Sequence, residues 1–236
     1  MKTLHLLSAL CAIAIAVPVA ASSTEFTFAP APITQKLEAG TSAKRLEFSY
    51  LTIDIPNNEW RGYGMNFTSR SANKGGSGGF NFNANLLALS DENKTTSGGL
   101  FGVALGPELY LGSSRNTVLF GGLTMNVMSM TMDVAGGESD TGSVMYGLQA
   151  GLQHHFVWGA SEIIPYAMVN AQRTYTSVET SGTIGGFSYY SSSSSNTSST
   201  TRTFGLDILV GGLSLGALAT TGGENDVQMF RLGFEF

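Results

Sequence analysis

The sequence predicts an all-β chain: an up-and-down antiparallel β-barrel crossing a membrane on about ten strands, with eight as the alternative count. Three observations lead there. The composition is uncharged and glycine-rich, long stretches alternate with period two, and turn-forming residues punctuate them at intervals. Charged residues make up 12% of the chain, glycine contributes 30 residues, and mean hydropathy is +0.10. A strand that meets hydrocarbon on one face and polar groups on the other needs apolar and uncharged polar residues in turn, with Gly where the wall is crowded. The 12 Lys and Arg are outnumbered by 17 Asp and Glu. That balance lacks the basic footprint of a nucleic-acid binder, so no nucleic-acid partner is expected.

Residues 1–21 read as a secretory signal peptide. Met1 to His5 is a short, weakly positive start, Leu6 to Val19 is almost continuously apolar, and Ala20-Ala21-Ser22 offers small residues for cleavage near Ala21. An apolar run of about 14 residues falls short of the roughly 20 that a spanning helix needs. Cys11, the single cysteine, lies in this segment. The mature chain is therefore expected to carry no thiol, disulfide or Cys-ligated metal. Leu10 before Cys11 and the apolar run after it do not suit a lipoprotein cleavage site. Residues 22–43 contain Pro30 and Pro32 and show no sustained alternation. They are expected to form a tail outside the barrel or a segment folded into its lumen, and residues 44–236 the barrel itself.

The clearest strand is Val144 to Trp158. Val144, Tyr146, Leu148, Ala150, Leu152, Phe156 and Trp158 share one face, interrupted by His154, while Gln149, Gln153 and His155 lie on the other. Alternation over about 15 residues exceeds the usual soluble strand and suits a tilted membrane strand that extends past the bilayer. The pattern recurs at Leu46–Tyr50, Tyr63–Phe67, Phe80–Leu86, Phe101–Leu111 and Leu119–Val127, and again at Phe204–Ile208, Leu213–Thr220 and Asp226–Phe236. Ile163 to Tyr175 is ambiguous in phase because both faces carry apolar residues. Turns are expected at 71–78, 112–116, 158–161 and 210–212 on one side. Loops are expected at 56–61, 90–97, 135–141, 178–201 and 221–225 on the other. The low-complexity stretch 178–201 is expected to stay disordered, since its Ser and Thr cannot bury enough apolar surface to order themselves.

The last residues carry a resemblance. Phe230, Leu232, Phe234 and Phe236 alternate up to an aromatic terminus, which resembles the assembly signal of small bacterial outer-membrane β-barrels of the opacity/OmpA or porin-like type. It covers 44–236 as architecture and the terminal strand as a motif. The resemblance implies the bacterial outer membrane, N- and C-termini in the periplasm, the barrel-assembly machinery, outer-membrane lipids and lipopolysaccharide as partners, and a monomer. It makes 22–43 a periplasmic tail and gives short periplasmic turns with longer external loops.

Candidate lumen-lining residues are Glu108, Gln149, Gln153, His155, Asp207 and Arg231, with Arg45, Glu47 and Glu235 in compatible phase. Charges in a narrow barrel should pair, because an isolated ion there is costly. The expected function is a structural or surface-exposed role with a narrow, polar, largely filled lumen. A small passive pore, whose charged side chains set ion preference, is the alternative. An outer-membrane lipid- or peptide-processing enzyme is a further one. Against it, His154 and His155 are adjacent and face opposite sides of a strand, so they cannot share a site. No enzyme activity, catalytic residue, cofactor or metal is expected. Met125, Met128, Met130 and Met132 could ligate Cu(I) but equally fill apolar surface. Asn196-Thr197-Ser198 fits a glycosylation pattern by chance.

Overall fold

The computed structural model describes residues 31–55, 58–134, 136–184, 187–222 and 225–236. The expected signal peptide, its cleavage site near Ala21, and Cys11 lie outside the described residues. The strands are β1 (Ser42–Ile55), β2 (Asn58–Ala72), β3 (Gly78–Asp91), β4 (Thr96–Leu111), β5 (Thr117–Val134), β6 (Gly137–His154), β7 (Phe156–Trp158), β8 (Ser161–Ile184), β9 (Phe187–Val210), β10 (Leu213–Thr221) and β11 (Asp226–Glu235). β6 and β7 form one stave interrupted at His155, since both pair with β8. Each stave is antiparallel to the next. β1 closes on β11 from Arg45↔Glu235 to Asp54↔Asp226, giving a barrel of ten staves without an open seam at this junction. Closure gives backbone groups in the wall a partner, as hydrocarbon requires.

The alternation translates directly into an inside and an outside. In β11, Val227, Met229 and Arg231 are buried while Phe230, Leu232 and Phe234 are exposed. Around the circumference the outward set includes Phe48, Tyr63, Leu86, Phe101, Leu123, Leu148 and Leu215, a lipid-compatible belt. The turn between β9 and β10 at the terminal end is tight. Gly211 and Gly212 have φ of 55° and 89°, the pair of positive values a two-residue type I′ turn needs and that Gly adopts without a Cβ clash.

Two expectations change at the opposite end. Residues 178–184 and 187–201 are strand: β8 and β9 pair without interruption from Ser161↔Val210 to Ile184↔Phe187, and β6 flanks them up to Gly137↔Gly182. Regular pairing satisfies the backbone, and hydroxyl contacts such as Ser139–Thr180 and Ser143–Thr176, both 2.9 Å between oxygens, add cross-strand support. Order therefore does not require an apolar core there. The other expected outer loops shrink as their strands lengthen, so Glu59, Trp60 and Arg61 belong to β2, and β6 begins at Gly137. Long strands with short connections replace the expected long external loops.

Candidate functional site

Inward side chains include three linked charge groups, a set of amides such as Asn66, Asn85, Asn126 and Gln149, and an apolar patch. The first group is a closed ring. Arg45 Nη2 lies 2.6 Å from Glu47 Oε1, Glu47 Oε2 accepts from Arg231 Nη1 at 3.3 Å, Arg231 Nη2 donates to Asp207 Oδ1 at 2.7 Å, and Asp207 Oδ2 returns to Arg45 Nη1 at 2.7 Å. Two cations and two anions alternate, so each charge meets two of opposite sign and the ring is neutral. Charges buried this completely persist only when paired in this way. Tyr166 Oη accepts from Arg231 Nη2 at 2.8 Å. Register brings these residues together from β1, β8, β9 and β11, and β10 contributes Gly216, which stands beside both Asp207 and Arg231. A Cβ on Gly216 would collide with the Asp207 carboxylate and lie 3.1 Å from Arg231 Nε. Its absence lets the pair meet across β10.

The second group is a fork. Arg70 donates to both oxygens of Glu108, Nε to Oε1 at 2.7 Å and Nη2 to Oε2 at 3.0 Å, and Tyr110 Oη donates to Glu108 Oε2 at 2.9 Å. With its amide oxygen turned to Arg70, Gln153 accepts at 3.0 and 2.9 Å. The third group is His155 Nδ1 against Glu162 Oε2 at 2.8 Å, with Glu235 nearby in the terminal strand.

All three groups grip one stretch of backbone. Residues Ala31 to Thr34 and Leu37 are buried. Arg45 donates to the Ile33 carbonyl at 3.2 Å and Arg70 to Thr34 Oγ1 at 3.2 Å. The Gln35 N–H donates to Glu235 Oε1 at 2.7 Å, and the Lys36 N–H to Glu162 Oε2 at 3.0 Å. Four consecutive residues are thus held by side chains of β1, β2, β11 and β8. Below them the chain leaves along the turn after β2, where the Gly40 N–H donates to the Asn73 carbonyl at 3.0 Å. Ala31 and Ile33 join a buried apolar cluster with inward Leu51, Ile53, Leu87, Leu100, Met145 and Met229. The segment packs inside the wall, and β1 begins at Ser42, two positions before the expected barrel start at Lys44.

Each residue singled out from the sequence has a definite place. Glu108, Gln149, Gln153, His155, Asp207 and Arg231 are all buried on the inner face. Five of them join the charge groups, whereas Gln149 stands apart: neither its amide atoms nor those of Asn66 have a protein partner. Phe230, Leu232, Phe234 and Phe236 are exposed on the outer face. His154 turns outward, bonding to Thr117 Oγ1 at 2.8 Å and packing on Phe156. Met128 is buried and Met130 packs against the same apolar cluster, whereas Met125 and Met132 are exposed, and no metal-holding cluster of His, Cys, Asp or Glu occurs among the described residues. Sequence reasoning missed Arg70, Glu162 and Tyr166. The phase of Arg70 against Phe67 was available, but it lay beside the turn least well marked in the sequence.

No protein-family model matches the chain, and no curated protein matches it in sequence. Solved structures match its fold. The translocator domain of the autotransporter NalP from Neisseria meningitidis superimposes with a TM-score of 0.54 at 10% identity, over 86% of this chain and 90% of that one. This chain has the fold of a small outer-membrane β-barrel. The barrel also matches the β domain of the Bordetella autotransporter Brka (TM-score 0.49, 11% identity, 83% of this chain and 98% of that one). A further match is the outer membrane protein OprG from Pseudomonas aeruginosa (TM-score 0.41, 13% identity, 84% and 96%). At these identities the likeness is one of fold.

Proposed function

We propose that the protein is a monomeric outer-membrane barrel with a narrow, largely filled lumen. Its role is structural and surface-exposed: a non-conducting scaffold that holds the β8–β9 hairpin beyond the outer leaflet. The observation that carries this reading is the grip of Arg45, Arg70, Glu162 and Glu235 on residues 33–36. A water path along the axis would have to displace a segment held by side chains of four strands and break a neutral ring of buried charges. The start of β1 and the C-terminus lie together at one end of the barrel, Lys44 and Phe236 exchanging backbone hydrogen bonds at 3.2 and 2.9 Å. At the opposite end the long strands β6, β8 and β9 run on past the apolar band, which supports an external position for them and a periplasmic one for the end that carries Phe236. The aromatic terminal strand supports insertion by the barrel-assembly machinery.

A narrow passive pore is the second reading, favoured by the inward amides of Asn66, Asn85, Asn126 and Gln149, each with an atom that no protein group pairs. Such amides bind water and would line a thin path beside the ring. Single-channel recording of the refolded mature chain in a planar bilayer separates the readings. The filled barrel gives no discrete steps, and steps that change size with Gln149→Leu establish the pore.

A further inference from the structure

The outer wall carries a groove that the lumen-centred reading leaves unused. It has a volume of about 380 Å³ and is walled by Tyr146 and Leu148 of β6, Ala171 and Arg173 of β8, and Ser198 and Thr200 of β9. Register explains its shape. Ala171 stands between Leu148 and Thr200, and Arg173 between Tyr146 and Ser198. The small Ala171 makes a floor between larger neighbours.

The height of the groove is set by counting. On the outward face of β8, Ile163, Pro165, Ala167, Val169 and Ala171 precede Arg173, and Ile163 stands beside Phe156 near the terminal end. The ten steps from Ile163 to Arg173, at about 3.3 Å each on a strand tilted by roughly 35–45°, rise about 23–27 Å. An outer-membrane apolar band is about 25 Å tall. Arg173 therefore sits where hydrocarbon gives way to headgroups, at the end opposite the termini. Its side chain is exposed, and its Nε donates to Asn196 Oδ1 at 2.9 Å. That bond orients the planar fork, whose geometry suits phosphate oxygens. No wall residue is acidic, and the outward carboxylates Asp140 and Glu179 pair in register six residues farther along β8. In a chain of net charge −5 this is a local cationic spot over an apolar slot.

We propose that this groove binds a phosphorylated acyl lipid of the outer leaflet, with the phosphate on Arg173 and one acyl chain over Ala171 between Leu148 and Thr200. The proposal rests on the outer-membrane reading above and adds a site and the side chains that hold the ligand there. The test is native mass spectrometry of the full mature chain, refolded in detergent and titrated with diphosphoryl lipid A, with diacylglycerol as the phosphate-free control that should be retained less. Arg173→Ala should weaken lipid A retention about five- to tenfold, Arg173→Lys less. Ala171→Trp should weaken it with the cation in place. Equal retention by wild type, Arg173→Ala and Ala171→Trp overturns the proposal, and displacement of lipid A by equimolar inorganic phosphate overturns the acyl-chain half. A heat-dependent gel shift on every sample reports the barrel separately, so loss of the shift in wild type refutes the barrel reading, and a retained shift with equal binding refutes only the site.

Discussion

Substituting Asp207→Asn removes one charge from the ring while keeping the side-chain volume, so its effect isolates the electrostatics. Asp207 faces Arg231 and Arg45, each at 2.7 Å, and all three side chains are fully buried. Neutralising it leaves both guanidinium groups on Glu47 alone, a net positive charge where water does not reach. Breaking a buried pair in this way costs about 3–5 kcal/mol. The assay is equilibrium urea unfolding in detergent, read by the fluorescence of Trp60 and Trp158. With a slope of about 1–3 kcal/mol/M, the midpoint should fall by at least about 1 M. Adding Arg45→Met removes the surplus cation and leaves a balanced Arg231–Glu47 pair, so the double variant should recover roughly half the loss or more, a coupling of about 1.5 kcal/mol. A loss below about 0.5 kcal/mol, the scale of an ordinary surface change, would refute the ring as a buried, interdependent unit. Simple additivity of the two substitutions would do the same.

Other substitutions probe other parts of the account. Gly216→Val places methyl groups against Asp207 and Arg231 and should cost about 1–3 kcal/mol, seen in the same unfolding assay. Ser193→Cys lies on the β8–β9 hairpin and should react with a membrane-impermeant maleimide on intact Gram-negative cells. Ala160→Cys, in the turn after β7, should react only once the outer membrane is permeabilised. The reverse pattern would invert the proposed orientation. Phe236→Ala should reduce heat-modifiable barrel in the outer-membrane fraction while leaving refolding yield in detergent unchanged.

The strand phases were legible because lipid and lumen impose opposite chemistry on alternate residues, most visibly at Val144–Trp158 and in the terminal strand. The tight turns were legible wherever Gly marked them, as at 211–212. The ambiguity of Ile163 to Tyr175 has a structural cause: inward Ile164, Tyr166 and Met168 belong to the buried apolar cluster, so β8 is apolar on both faces near the terminal end. The hairpin at 178–201 was misread because disorder was inferred from the lack of apolar surface, whereas β-pairing with Thr- and Ser-bearing neighbours supplies order without it. Charge partners could be sorted by face but not matched, since Arg45 meets Asp207 only through closure of β1 on β11 and the register across β10. The placement of residues 31–37 had no periodic signal. Their anchors are single side chains on the neighbouring strands β11, β1 and β2 and on β8.

The central claim, that residues 31–37 occupy the lumen, is tested most directly by thiol accessibility at Ile33. The mature chain should lack cysteine once the segment containing Cys11 is removed, so Ile33→Cys carries the introduced thiol alone. In the folded barrel it should resist a water-soluble maleimide for as long as the gel shift persists and react at once on unfolding, while Ser193→Cys reacts in both states. Rapid labelling of Ile33→Cys in a sample whose barrel is intact would place the segment outside the lumen and contradict the account.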